Sequence, residues 1–236
     1  MIFRYLDLLD TSPLLFLTVV GSLVASLVVG ISFHEFSHAI AADSLGDPTP
    51  RRQGRISLNP ARHLDPAGTL MLFLVGFGWG KPVQVNPYAM RNGRTGMTVT
   101  ALMGPLSNIV VAALAGLPFR LGWVDLRFPA FHDPGGTIGW EASDFAGYFL
   151  ANLIGVNLVL AVFNLLPVPP LDGFNVLRGV APPEWNDLVN WLYRYGMGVL
   201  FALLVLPFFL NVNPLADIMG PSIEWLARLI GVGDIV

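Results

Sequence analysis

Two histidines and a glutamate are spaced as a metal site with its own base in the sequence HEFSH, residues 34 to 38. His34 and His38 lie four residues apart, so on a helix both imidazoles project from one face and can share a metal ion. Glu35 stands beside the first histidine, where it can act as general base on a water that the metal activates. The pattern therefore predicts zinc-dependent hydrolysis.

This motif lies inside an apolar stretch, residues 13 to 42. About 20 such residues are enough to cross a bilayer. Ionisable side chains are costly inside a membrane segment and mark function there. One alternative is that the two histidines only form hydrogen bonds within a helix bundle. A chance match is a poor explanation, because the whole chain has 4 histidines.

The composition indicates an integral membrane protein. Hydrophobic residues make up 54% of the chain and charged residues 12%, whereas a soluble domain has about 25% charged residues. The net charge of -3 offers no basic surface for nucleic acid. The absence of cysteine excludes disulfides, thiol catalysis and cysteine-ligated zinc. The metal ligands must therefore be His, Asp or Glu.

The apolar segments predict an all-α polytopic membrane protein, a bundle of about four to six transmembrane segments. We expect a single membrane domain over residues 1 to 236, with a core at 14 to 180 and C-terminal helices at 195 to 236. Residues 54 to 60 (GRISLNP) and 82 to 87 (PVQVNP) suggest a short β-hairpin, which either pairs with substrate or is a plain surface hairpin. The apolar segments after the first are residues 68 to 79, 95 to 119, 145 to 167 and 196 to 210, followed by an interfacial or bundle-packed tail at 215 to 236.

Basic residues indicate how the short apolar run at 68 to 79 is placed. Seven of the 13 Lys and Arg residues lie between Arg51 and Arg94, on both sides of that run. A membrane crossing would divide them between opposite faces, against the tendency of basic residues to stay on the cytoplasmic side. A run of about 12 residues is also short for a span. We therefore predict a re-entrant segment, with HEFSH near the cytoplasmic end of the first span.

The sequence NLLPVPPLDG, residues 164 to 173, carries a candidate third ligand. With a re-entrant run before it, Asp172 arrives at the depth of the two histidines. A catalytic zinc takes three protein ligands and leaves one position for water, and two imidazoles with one carboxylate make such a set. The prolines of the motif end the helix and leave irregular backbone. The alternative is that Leu-Asp-Gly at 171 to 173 is an ordinary surface turn.

Three motifs in this order resemble the site-2 protease family of intramembrane zinc metalloproteases. They are HEFSH, GPLSN at residues 104 to 108, and NLLPVPPLDG. The resemblance is closest to compact bacterial and archaeal members, in which the pattern GWxKPVxVNP, here residues 78 to 87, also recurs. It covers residues 14 to 180.

This resemblance implies one zinc ion per chain, bound by His34, His38 and Asp172, with Glu35 activating water. It implies that the partner is a transmembrane-helix substrate, cut within or near the lipid bilayer in regulated intramembrane proteolysis. A prokaryotic plasma membrane fits the compact form, with the active site toward the cytoplasmic side.

Two asparagines are further candidates for the site. Asn108 either packs helices through a hydrogen bond or points into the cavity, where it would hold substrate backbone or the developing oxyanion. The resemblance favours the second role. Asn164 has the same two options, with helix capping as a third. His63 lies in the Arg-rich loop, and we expect it not to be a ligand.

Two other functions stay open on the sequence. A membrane metal-ion transporter would also place His and Asp in the membrane, but it should show ligands along a path and often an internal repeat. A catalytically inactive membrane scaffold would have no need of an intact HExxH motif with Asp172. Loss of Glu35 discriminates between them, because a transporter should tolerate it far better than a protease.

Overall fold

A computed structural model describes residues 12 to 68, 71, 80 to 126, 140 to 210 and 212 to 233. These residues form long helices joined by short turns, and they contain no β-ladder. The all-α polytopic class is confirmed. In chain order the helices are α1 (Pro13–Ser44), α2 (Thr49–Arg52), α3 (Gly93–Arg120), α4 (Ala142–Asn164), α5 (Asp172–Val180), α6 (Asn186–Phe209) and α7 (Pro214–Leu229).

Four helices in the described part of the chain are long and apolar enough to cross a membrane. Helix α1 has 32 residues, or about 48 Å at 1.5 Å per residue, against a hydrocarbon core of about 30 Å. The motif HEFSH lies in the last third of α1, toward one end of the span. The four candidate spans are Pro13–Ser44, Gly93–Arg120, Ala142–Asn164 and Pro183–Pro207.

Helices α1, α3 and α4 pack against one another and form the centre of the bundle. Many of the residues that they bury are small, such as Ser26, Ala101 and Ala161. Small residues let membrane helices approach closely, which matters because lipid gives no hydrophobic drive for their association. At Gly30 of α1, an added Cβ would lie 2.7 Å from Leu160 Cδ1 of α4. An alanine at position 30 would therefore force the Leu160 side chain to move.

Helix α7 completes an apolar core with α3 and α4. Its residues Met219, Leu226 and Ala227 are buried in one cluster with Ile154 and Leu158. The described part of the tail predicted at 215 to 236 is therefore packed on the bundle, which is one of its two predicted placements. Helix α6 begins ten residues earlier than the predicted segment at 196, because polar and aromatic residues from Asn186 onward continue the helix.

The predicted β-hairpin is wrong for the described residues. Residues 54 to 60 and 82 to 87 contain no paired strand, and the one antiparallel bridge nearby joins Leu64 to Gly80. Pro82 and Pro87 have no N–H to donate to a ladder. The extended residues 80 to 86, which we call the strap, instead bond to side chains around them.

The predicted re-entrant segment at 68 to 79 lies almost wholly outside the described residues. Its two flanks are described, and they meet. Besides the bridge from Leu64 to Gly80, the Lys81 N–H donates to the His63 carbonyl at 2.6 Å. The chain thus leaves and returns at one place, as a re-entrant segment requires.

Candidate active site

The three predicted metal ligands converge on one point. Asp172 Oδ2 lies 3.0 Å from His34 Nε2 and 3.1 Å from His38 Nε2, and the two Nε2 atoms are 3.0 Å apart. Both histidines are buried, and Asp172 is mostly so. These three are the only group of described residues with the donor types and spacing to hold a metal ion.

Hydrogen bonds behind the two imidazoles determine which nitrogen atoms face this point. His38 Nδ1 lies 2.7 Å from the Thr100 carbonyl, which can only accept, so Nδ1 carries the proton. His34 Nδ1 lies 2.7 Å from Asn108 Oδ1 and donates to it. In the neutral rings both Nε2 atoms therefore present lone pairs. These tautomers are assigned from the hydrogen-bond network.

The donor set fits a zinc ion. Two imidazole lone pairs and a carboxylate oxygen meet within 3.1 Å, and without a cation they would repel one another. Tetrahedral zinc with ligands at 2.0 to 2.1 Å has ligand atoms about 3.3 Å apart. Carbonyl and amide partners on the second nitrogen of each imidazole are the usual outer support of a zinc site.

Helix α3 approaches the imidazoles closely because it has a glycine there. A Cβ added to Gly104 would lie 2.7 Å from His34 Cε1 and would also clash with the His38 ring. Any larger residue would therefore displace both predicted ligands. This gives the first residue of the GPLSN motif a steric role.

Asp172 enters the site from the first residue of α5. The preceding residue, Leu171, is extended, and α5 then runs away from the site to Val180. Arg94 of α3 holds the other end of α5, since its guanidinium donates to the carbonyls of Arg178 and Ala181 at 2.7 Å each. The carboxylate is thus presented by a short helix that is fixed at its far end.

Glu35 faces the same cavity from α1, where the strap holds its carboxylate. The Val83 N–H donates to Glu35 Oε2 at 2.9 Å. The predicted general base therefore lies next to the three ligands with one oxygen fixed by the main chain. The other oxygen accepts no hydrogen bond from a described residue.

Two buried charged side chains anchor the strap on either side of Val83. Arg55 Nη2 donates to the Pro82 carbonyl at 3.1 Å, and Asp47 Oδ2 accepts from the Asn86 N–H at 2.6 Å. Burial acts to raise the pKa of the Asp47 carboxyl, but hydrogen bonds from the N–H groups of Asn86 and Thr49 outweigh it and hold that pKa below its usual value. Asp47 is therefore a charged anchor at neutral pH.

The ligands and Glu35 line a cavity of about 430 Å³. Most of its remaining wall is apolar and includes Val83, Val85, Phe163 and Leu200. Asn164 also lines the cavity. Its Nδ2 donates to the Leu160 carbonyl at 2.9 Å, which leaves the Oδ1 atom without a partner among the described residues. This placement suits the predicted contact with substrate.

Asn108 does not point into the cavity. It is fully buried behind His34, and its Nδ2 donates to the Gly30 carbonyl at 3.0 Å and to Asn157 Oδ1 at 2.8 Å. Both ends of its amide are therefore occupied, so the placement corresponds to the helix-packing alternative and not to substrate or oxyanion binding. His63 lies outside the ligand group, with Nε2 against the Ser57 carbonyl.

Sequence reasoning missed the residues that hold the site from behind. Asn157, the Thr100 carbonyl and the Val83 N–H each contact a predicted functional residue or its direct partner. Asn157 alone left a signal, as a polar residue in an apolar span seven positions before Asn164. Main-chain contacts leave none, because every residue has the same N–H and carbonyl groups.

Comparison with known proteins places this site in a family. A model of peptidase family M50 matches residues 131 to 203, which include Asp172. "Putative zinc metalloprotease YwhC" of Bacillus subtilis (strain 168) is 35% identical over 191 residues, covering 81% of this chain and 83% of the relative. "Putative zinc metalloprotease Rip2" of Mycobacterium tuberculosis (strain ATCC 25618 / H37Rv) is 29% identical over 235 residues, covering 95% of this chain and 82% of the relative.

No solved structure shows a significant match. The level of identity to the first relative, over most of both chains, establishes common descent. The motifs HEFSH and NLLPVPPLDG, the four apolar helices and the convergent His and Asp side chains agree with it. The chain therefore belongs to peptidase family M50, the site-2 protease family, and is a zinc metallopeptidase of the membrane.

Proposed function

We propose that this protein hydrolyses peptide bonds within or near transmembrane segments of other membrane proteins, in regulated intramembrane proteolysis. One observation carries the proposal: three ligand atoms within 3.1 Å of one another lie beside Glu35, in a cavity bounded by membrane-spanning helices. One zinc ion per chain would be held by His34, His38 and Asp172. When bound, zinc supplies a Lewis acid that polarises the scissile carbonyl and acidifies water.

Glu35 is the proposed general base and acid. Because the Val83 N–H holds Oε2, Oε1 is the oxygen that takes a proton from the attacking water. The hydroxyl forms the new bond to the carbonyl carbon, and the bond from carbon to nitrogen breaks. Oε1 then returns the proton to the leaving amine, so the products are a carboxylic acid and an amine.

The strap supports binding of a locally unwound substrate. An amide within a regular helix is hydrogen-bonded and shielded, so the substrate must be extended before attack. Val83 and Val85 both line the cavity, while Gln84 between them is exposed. The Val85 N–H bonds to no described residue and is available to an added strand. Asn164 Oδ1 can accept from a substrate N–H.

The test is cleavage of a transmembrane-helix substrate by purified protein in liposomes. Glu35→Gln should keep stoichiometric zinc and lose about 10² to 10⁴ in rate, the usual contribution of a general base. Asp172→Ala should lower zinc occupancy. Near-normal turnover by the glutamine variant would refute the mechanism. A transporter would instead move metal equally well with glutamate or glutamine at position 35. An inactive scaffold would show no cleavage even as the wild-type protein.

We also propose that the site opens toward the cytoplasm of a prokaryotic plasma membrane, because basic residues cluster around it. The chain has no cysteine, so single exposed positions can be labelled with an impermeant thiol reagent. Arg52→Cys and Arg91→Cys should be labelled from the cytoplasmic face and Trp123→Cys from the other. Labelling of positions 52 and 91 from opposite faces would contradict the re-entrant segment.

A further inference from the structure

A chain of hydrogen bonds between buried side chains links three membrane helices. Asn157 of α4 contacts Asn108 of α3, and Asn108 contacts His34 of α1. Both asparagines are fully buried, and neither is among the described residues that line the cavity. The proposed chemistry makes no use of Asn157, although a buried amide is costly unless its polar atoms are bonded.

Two main-chain carbonyls fix the direction of every bond in this chain. The Leu153 carbonyl can only accept, so Asn157 turns its Nδ2 toward it at 2.8 Å and its Oδ1 toward Asn108. The Gly30 carbonyl likewise requires the Nδ2 of Asn108, which donates to both Gly30 and Asn157. Asn108 Oδ1 is thereby left facing His34 Nδ1, which must donate.

Helix α1 lies close to the Asn157 side chain. A Cβ added to Gly30 would lie 3.2 Å from Asn157 Oδ1 as well as close to Leu160. Helices α1 and α4 therefore meet at the point where the Asn108 and Asn157 amides are hydrogen-bonded to each other.

Two acceptors hold the Asn108 Nδ2 in this orientation, and removal of the Asn157 acceptor would leave the Gly30 carbonyl alone to hold it. The Asn108 amide could then turn its Nδ2 toward His34, and His34 Nδ1 would become the acceptor. The imidazole proton would move to Nε2, the atom that lies 3.0 Å from Asp172 Oδ2. A protonated Nε2 cannot bind a metal ion.

We propose that Asn157 is a positioning residue that holds His34 in its metal-binding tautomer through Asn108. This inference rests on the proposed role of His34 as a zinc ligand. Outer partners of metal-binding histidines typically contribute 10- to 100-fold in metal affinity. Here the outer partner of His34 is Asn108, and Asn157 on a third helix orients that partner. The position of the ligand therefore depends on the packing of α4 as well as of α1 and α3.

The experiment measures zinc affinity of the full-length protein in detergent by competition with a chromogenic chelator. Asn157→Leu has the same branched shape and no acceptor, and we expect the affinity to weaken by up to about 10-fold, the lower end of the cost of losing a direct outer partner. Asn157→Asp keeps an oxygen toward Asn108, in either protonation state, and should recover most of the loss. Asn152→Leu is the matched control, because among the described residues the Asn152 amide bonds only to its own helix, at the Tyr148 carbonyl 2.9 Å away.

A readout without metal separates positioning from folding. Without zinc, the melting temperatures of the variants should lie close to that of the wild type. The differences between them should be smaller than the rise that zinc produces in the wild type. If Asn157→Leu does not fold, Asn157→Ala removes the same acceptor and should show the same weakened affinity. Wild-type affinity in the leucine or alanine variant, or an equal loss in the aspartate variant, would overturn the inference. Failure of the wild type to bind zinc would instead refute the proposed function.

Discussion

Helices α1, α3 and α4 are packed around the ligands, whereas α6 lies at the edge of the molecule. In the apolar stretches of α1, α3 and α4, 33 to 44% of the residues are buried. In the span that contains α6 the share is 11%. The first three meet through glycine, alanine and serine. Helix α6 exposes large side chains such as Phe201 and Met197, which suits contact with lipid.

This difference follows from what each region contributes. The central helices carry both imidazoles and the hydrogen-bond partners that orient them, and ligand positions must be held to within about 0.5 Å. Helix α6 carries none of the proposed ligands and gives the cavity one wall residue, Leu200. We therefore expect substitutions in the central helices to change metal binding, and substitutions in α6 to change at most how substrate fits.

The largest effect is expected at Gly104, where α3 lies directly against both imidazoles. Its replacement by alanine would push both imidazoles aside. We predict a loss of zinc affinity of at least about 100-fold, the upper end of the cost of losing an outer partner, together with loss of cleavage. Competition with a chelator measures the zinc affinity, and hydrolysis of a transmembrane-helix substrate measures the cleavage.

Gly155→Ala is the matched control for this prediction. It makes the same change in α4 at a position where the added Cβ meets nothing within 4 Å. We expect wild-type zinc affinity there. Equal affinity in the two variants would mean that the close approach of α3 does not constrain the ligands.

An intermediate effect is expected in the strap, which holds Glu35 but no ligand. In Asp47→Asn, an amide group would replace one of two carboxylate oxygens that accept from main-chain N–H groups. A buried donor without a partner costs about 1 to 3 kcal/mol of stability. Turnover should fall by about 10-fold, below the roughly 100-fold that a 1 Å misplacement can cause, while zinc affinity stays unchanged.

The pH dependence of stability gives a second measure of the Asp47 anchor. Because the pKa of Asp47 is lowered in the folded protein, its contribution is present above the ordinary value of 3.8 and is lost as pH falls through the folded-state pKa. The difference in unfolding free energy between wild type and Asp47→Asn should narrow from pH 7 toward pH 3. Asp43→Asn, which breaks a salt bridge to the exposed Arg51, should change stability less than Asp47→Asn does, because surface salt bridges contribute little. A constant difference across this range would argue against a charged anchor.

The parts of the site that could be predicted from sequence are those that depend on the period of one helix or on depth in the membrane. His34, Glu35 and His38 are fixed relative to one another by one helix. Asp172 lies 134 residues beyond His38, yet the count of basic residues placed it at the same face of the membrane. These predictions needed no knowledge of how the helices pack.

What could not be predicted depends on packing between helices. An asparagine in an apolar span can bond to its own helix, as Asn152 does, or to another, as Asn157 does, and only the helix crossing decides which. The hairpin prediction failed for a related reason. Exposed and half-buried residues do alternate along the strap, as in a strand. Its main-chain groups, however, bond to side chains of α1 and the adjacent loop and not to a second strand.

The smallest effects are expected in α6, and neighbouring residues there separate its two faces. Leu200 is 5% exposed and lines the cavity, whereas Phe201 is 67% exposed. Leu200→Ala should enlarge the cavity and change the cleavage rate by a few-fold, with a shift in the preferred substrate side chain. Phe201→Ala should change stability by no more than about 0.5 kcal/mol, as is usual for surface positions, and leave the rate unchanged. Neither should alter zinc affinity, because α6 contacts neither imidazole through a hydrogen bond within the described residues. A loss of zinc in either variant comparable to that of Gly104→Ala would show that the edge helix constrains the metal site as tightly as the central ones.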